Sequence, residues 1–106
     1  MKPLTITEYQ LYLKERYKNP NTTHANFMKL VEEVGEVAEA INMQEGWKKD
    51  DGESSLAKEL ADVIHYAIAI AAVNDIDLEE VIFSKDKVAS VKYNHSINLE
   101  EFVKNR

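Results

Sequence analysis

Four carboxylates at two matched spacings are the residues of this chain best suited to chemistry. Glu33 and Glu36 stand three apart within LVEEVGEVAEAI, and Glu59 and Asp62 stand three apart within KELADVIHYA. Positions three apart on a helix share one side. The second pair stands at the entrance to Val63–Val73, where every residue except His65 is apolar or aromatic. Burying an unpartnered carboxylate costs on the order of several kcal/mol, and a second one beside it adds like-charge repulsion. Two such pairs on antiparallel neighbouring helices can converge on one point, and the simplest occupant of that point is a divalent cation. Taken alone, Glu33 and Glu36 read first as a solvated stripe opposite an apolar face. Glu59 and Asp62, placed ahead of an all-apolar run, do not.

The donor types narrow the ion. An all-oxygen set suits Mg²⁺ or Mn²⁺, whereas zinc, copper and non-haem iron recruit imidazole or thiolate. Neither pair has the Glu-x-x-His form of di-iron bundles, and DKVASVKYN lacks the Asp/Asn and glycine pattern of a calcium loop. Magnesium on carboxylates keeps positions for phosphate oxygens and water. Gly35 lies between the first two glutamates. Glycine inside a helix costs roughly 0.5–1 kcal/mol relative to alanine, which the close approach of a backbone or ligand would explain.

The elements that must position these groups are helices. Strand alternation is hard to find, and three glycines and two prolines leave long segments uninterrupted. The spacing predicts a first helix over Thr5–Tyr17, capped by Thr5 or Thr7, with Tyr9, Tyr12 and Leu13 on one stripe. KNPNTT is a turn, and Thr22 or Thr23 caps a second helix over Thr23–Gln44. Phe27, Leu30, Val31, Val34, Ala38 and Ile41 follow the spacing of one apolar face. After EGWKKDDGES, Ser54 or Ser55 opens a third helix to Val73. Asp75 or Asp77 opens a fourth to Tyr93, and Asn98 caps a last short turn.

A helix apolar on all sides is normally buried in a bundle, and 106 residues can hardly cover one completely. The expectation is an all-α four-helix bundle completed by oligomerisation, with residues 1–106 as a single domain. Thirteen basic against nineteen acidic residues give a net charge of −6. That balance argues against nucleic acid and anionic membrane as partners, yet permits an anionic small molecule through a bound cation. The absence of cysteine excludes disulfides and thiolate metal sites. MKPLTITEYQ lacks the apolar core of a signal peptide, and Val63–Val73 is too short to span a bilayer. A cytoplasmic location is expected.

Glu33-Val-Gly-Glu36 followed by Glu59-Leu-Ala-Asp62 resembles the ExxE…ExxD signature of MazG-type nucleotide pyrophosphohydrolases. These belong with the phosphoribosyl-ATP pyrophosphohydrolases and the dimeric all-α dUTPases in the all-α NTP pyrophosphatase superfamily. KLVEEVGEVAEAIN and KELADVIHYAIAIAAVNDIDLEEVI read like the same family, so the likeness spans about Asn26–Tyr93. The resemblance implies Mg²⁺-dependent cleavage of a nucleoside triphosphate, a deoxy or modified one, between its α- and β-phosphates. By motif position Glu33, Glu36, Glu59 and Asp62 would be the metal ligands. Glu32 or one of the four would orient or deprotonate the attacking water.

Family members also place basic residues on the last helix as K-x-x-x-N-x-x-R/K. Lys85 and Lys92 fit its ends, but Ala89 stands at the asparagine position, leaving Lys87 or Asn94 as substitutes. Trp47, in EGWKK, could stack on a base or simply anchor its loop. His65 is expected to be buried or at an interface, and Tyr9, Tyr12, Tyr66 and Phe27 to be core. A homodimer or homotetramer is the expected assembly. The rivals are a non-catalytic helical scaffold, a dUTPase or dCTPase, and a phosphoribosyl-ATP pyrophosphohydrolase. The complete carboxylate set favours an enzyme.

Overall fold

Local capping chemistry sets the helix boundaries in the computed structural model, which describes residues 1–53 and 55–106. Helix α1, Ile6–Arg16, opens on a reciprocal capping box. Glu8 N donates to Thr5 Oγ1 at 3.1 Å, and Thr5 N donates to Glu8 Oε1 at 3.2 Å. The chain then breaks at Asn19-Pro20, where the Asn19 side chain caps a short 3₁₀ turn, Pro20–Thr22. Helix α2, Thr23–Gln44, follows with no side-chain cap. The Thr22 hydroxyl, one of the two expected caps, donates instead to the Asn19 carbonyl. Helix α3, Leu56–Val73, is capped by Ser55, and α4, Leu78–Lys92, by Asp77. The other expected cap of α3, Ser54, lies outside the described residues. Helix α5, Leu99–Lys104, starts at the predicted cap Asn98, and Asp86 on α4 accepts from its first amide at 2.6 Å. The described residues contain no strand.

Helix α3 is the centre of the fold, with α2 along one side and α1 along another. Leu13 of α1 packs on Ile68, Ala69 and Ala72 of α3, edged by Tyr9, Tyr17 and Leu78. Asn74 fastens the far end of α3 to the start of α2, donating to Thr23 Oγ1 at 3.0 Å and to the Ile70 carbonyl at 2.8 Å. Lys14–Asp75, Thr7–Glu79 and Gln10 with the Ile76 carbonyl form a polar seam from α1 to the α3–α4 turn. Among the described residues, helix α4 packs mainly on α1 and α5, with Leu78 at its start reaching the α3 core.

Two sequence expectations about the core are corrected. On α2 the buried and half-buried positions recur at Asn26, Leu30, Glu33, Val37 and Ala40. Of the predicted apolar face only Leu30 belongs to that stripe, while Phe27, Val31, Val34, Ala38 and Ile41 lie exposed. The reason is the register of α2 on α3, which turns the glutamate-bearing stripe inward. On α3, Ile68, Ala69, Ala71 and Ala72 are buried, but Leu60, Ile64 and Ala67 are exposed. A single chain therefore does not enclose its most apolar helix. Tyr9 and Tyr66 are half-buried as core neighbours, whereas Tyr12 is exposed like Phe27.

Candidate metal and substrate site

Glu33 lies on the inward stripe of α2, and Glu59 and Asp62 lie in the first two turns of α3. Antiparallel packing of the two helices brings one carboxylate oxygen from each within 4.8 Å of the others. Glu33 and Glu59 are half-buried, and Asp62 is exposed. Partial burial raises the Glu33 pKa above the usual carboxylate range. The Asp62 charge, a hydrogen bond with Glu59 and the Glu59 charge push the same way, while Lys29 opposes them. Three oxygen donors that repel one another at this distance fit a hard divalent cation such as Mg²⁺.

The other expected residues divide. Glu36 lies one turn beyond Glu33, exposed and outside the converging trio. Glu32 pairs with Lys29 at 3.2 Å, and Glu39 pairs with Lys48 across the start of the loop. A Cβ added at Gly35 would meet nothing within 4 Å, so the close approach expected there is not made within this chain. Trp47 is exposed at the end of α2, its amide donating to the Asn42 carbonyl at 2.8 Å. Lys85 and Lys92 line one shallow groove on α4 with Val88, Ala89 and Tyr93. That groove is on α4, which packs on α1 and α5, whereas the carboxylate trio is formed by α2 and α3.

One constellation went unread in the sequence. His65, one turn beyond Asp62, is held between two tyrosine hydroxyls of α1 and its end, with both ring nitrogens engaged. That geometry engages both ring nitrogens within the chain, and the ring is half-buried. The contacts span 56 and 48 residues, beyond any local pattern.

Residues 21–95 match the family model described as the MazG nucleotide pyrophosphohydrolase domain. The fold is similar to the crystal structure of N-terminally tagged iMazG from Vibrio DAT 722, with a TM-score of 0.71 and 33% identity. That match covers 87% of this chain and 100% of the other. The C-terminally tagged form of the same protein gives 0.70 and 30%, over 82% and 99% of the two chains. No curated protein matches significantly. The chain is a member of the MazG nucleotide pyrophosphohydrolase family.

Proposed function

We propose that this protein is a Mg²⁺-dependent nucleoside triphosphate pyrophosphohydrolase that releases a nucleoside monophosphate and pyrophosphate. The observation that carries this reading is the convergence of Glu33, Glu59 and Asp62 within 4.8 Å in a chain of this family. When bound, the cation offsets phosphate charge and lowers the pKa of coordinated water; Mn²⁺ has the same donor preference. Glu33, Glu36, Glu59 and Asp62 would hold it, with Glu36 completing the set from one turn along α2. Glu32 or one of the four orients or deprotonates the attacking water. Lys85 and Lys92 meet the phosphates, and Trp47 offers a face on which a base can stack. Positioning and electrostatics rather than covalent chemistry supply the rate.

Deoxy or modified nucleoside triphosphates are the proposed substrates, with residues 1–106 acting as a single domain in a cytoplasmic homodimer or homotetramer. No helix among the described residues is long and apolar enough to cross a membrane. The test is a panel of standard and modified nucleoside triphosphates with Mg²⁺, assayed for pyrophosphate. Release from at least one of them, abolished in Glu36→Gln and Asp62→Asn with helicity retained, is the expected result. Silence across the panel, with no thermal shift on adding Mg²⁺ and nucleotide, would replace the enzyme by the non-catalytic scaffold.

A further inference from the structure

The connection between α2 and α3 carries the one Asp-Gly bond of the sequence, Asp51-Gly52, and the sequence has no Asn-Gly. Asp50, Asp51, Gly52 and Glu53 are all exposed. Two backbone amides there are tied to the aspartate side chains beside them. Gly52 N donates to Asp50 Oδ1 at 2.7 Å, and Glu53 N donates to Asp51 Oδ1 at 2.9 Å. Gly52 has a φ of +76°, in the left-handed region, and a Cβ there would meet nothing within 4 Å. Having no side chain, it leaves its own amide nitrogen accessible to the side chain of Asp51.

Each of these contacts has a role in one reaction, closure of Asp51 onto the amide that follows it. The nucleophile is Gly52 N, the electrophile is Asp51 Cγ, and the ring they close is a succinimide. Intramolecular attack between groups already held in place outruns its bimolecular counterpart by large factors. The amide must lose its proton as the new bond forms, and a carboxylate oxygen at 2.7 Å is within reach to accept it. Negative charge gathers on Asp51 Oδ1 in the tetrahedral intermediate, and the Glu53 N–H already donates to that atom. Comparable side-chain contacts elsewhere lack a part. Asn19 Oδ1 accepts from Asn21 N in the same way, but the residue between them is Pro20, which has no amide proton. Asp77 Oδ1 accepts from Glu80 N, but its neighbour Leu78 has a branched side chain and is fixed as the first residue of α4.

We propose that Asp51 converts to isoaspartate through a succinimide closed by Gly52 N, with Asp50 as general base and the Glu53 amide as oxyanion donor. The Gly52 N–Cγ bond forms and the amide proton passes to Asp50. Oδ2 then leaves as water, taking that proton and a second from solvent. Water next adds to the main-chain carbonyl carbon of Asp51 and breaks its bond to Gly52 N, releasing a proton. The chain now runs through Cγ and is one methylene longer, and the former main-chain carbonyl is a carboxylate. One water is lost and one is taken up, so no oxidant or co-reactant is needed. The altered bond joins α2, which carries Glu33, to α3, which carries Glu59 and Asp62. This modification is separate from the proposed function and does not rest on it.

Isotope incorporation tests it without any readout of activity. The full chain and a synthetic peptide of residues 45–58 are kept at neutral pH in water enriched in heavy oxygen, then digested with trypsin in ordinary water. Cleavage after Lys49 and Lys58 isolates the peptide from Asp50 to Lys58. From the folded chain, that peptide is expected to gain one heavy oxygen, carried on residue 51, and to divide into two chromatographic forms of equal mass. The label should enter the folded chain sooner than the synthetic peptide, which has the same residues without their arrangement. It should enter Asp50→Asn more slowly than the parent, and Gly52→Ala, where the added methyl crowds the nucleophile, more slowly still. A folded chain that stays unlabelled while the synthetic peptide converts would overturn the proposal, as would a label on Asp50. Equal rates in the parent and Asp50→Asn would overturn the assignment of Asp50 as the base.

Discussion

The Tyr17 hydroxyl lies 2.8 Å from His65 Nε2, so the end of α1 is hydrogen-bonded to the middle of α3. The Tyr9 hydroxyl lies 3.2 Å from Nδ1 of the same ring. A neutral imidazole has one donor and one acceptor nitrogen, so one tyrosine donates to it and the other accepts. Burial holds the His65 pKa below its ordinary value, the Arg16 charge adds to this, and Asp62 opposes it.

The sign of the pH effect follows. A histidine with a depressed folded-state pKa binds fewer protons folded than unfolded, so its contribution is full above pH 6.5 and is lost as the pH falls through the lowered value. The apparent Tm should therefore decline on acidification through this window, and His65→Gln, which does not titrate, should decline less steeply. Parallel Tm profiles for the two proteins would rule out His65 as the source. At pH 8 the same substitution should cost about 1–3 kcal/mol through the two altered hydrogen bonds, measured by urea unfolding.

Glu33 gives the opposite sign. Its raised pKa means that the metal-free folded state binds more protons at Glu33 than the unfolded state does, so this term weakens stability as pH rises through the carboxylate range. In EDTA at pH 7, Glu33→Gln should raise the Tm. Adding Mg²⁺ at about 100 times its dissociation constant should stabilise the parent protein by about 2.7 kcal/mol and leave Glu33→Gln nearly unmoved. A Tm that falls in EDTA would show that Glu33 is stabilised by something other than the cation.

The capping box offers a check on the fold alone. Thr5→Ala removes the acceptor for Glu8 N and should destabilise the protein by about 1 kcal/mol in denaturant unfolding, with catalysis unaffected.

Lys85 and Lys92 test substrate contact. If each donates to a phosphate, Lys85→Ala or Lys92→Ala should lower kcat/KM by about 10–100-fold, the scale of a charge-assisted hydrogen bond. The Tm should hardly change, since both side chains are exposed. Unchanged kcat/KM in both variants would remove the α4 groove from the site.

Helix boundaries were legible because they are written locally. Thr5 with Glu8, Ser55, Asp77 and Asn98 cap within three residues of themselves. Three-residue spacing and antiparallel neighbours suffice to bring Glu33, Glu59 and Asp62 together, whereas Glu36, the other member of the first pair, stays outside that group. The inward face of α2 was not legible. Two interleaved stripes compete there, and the one that turns inward carries Asn26 and Glu33, while the more apolar one turns out. Hydropathy selects the second, and only the register against α3 selects the first. The tyrosine–histidine contacts are tertiary and have no local signature.

The placement of α1 on α3 rather than on α2 bears on the order in which the molecule assembles. α1 is synthesised first, yet its partners lie some 50 residues later, with His65 separated from Tyr9 by 56 positions. The α2–α3 hairpin closes a much shorter loop and has the smaller entropic barrier. It can form while the N-terminal helix is still searching. The carboxylate trio lies wholly within that hairpin, so undocking of α1 would bare Ile68, Ala69 and Ala72 to solvent exchange while Glu33, Glu59 and Asp62 stay together. Amides of α1 should accordingly exchange with deuterium faster than those flanking Glu33.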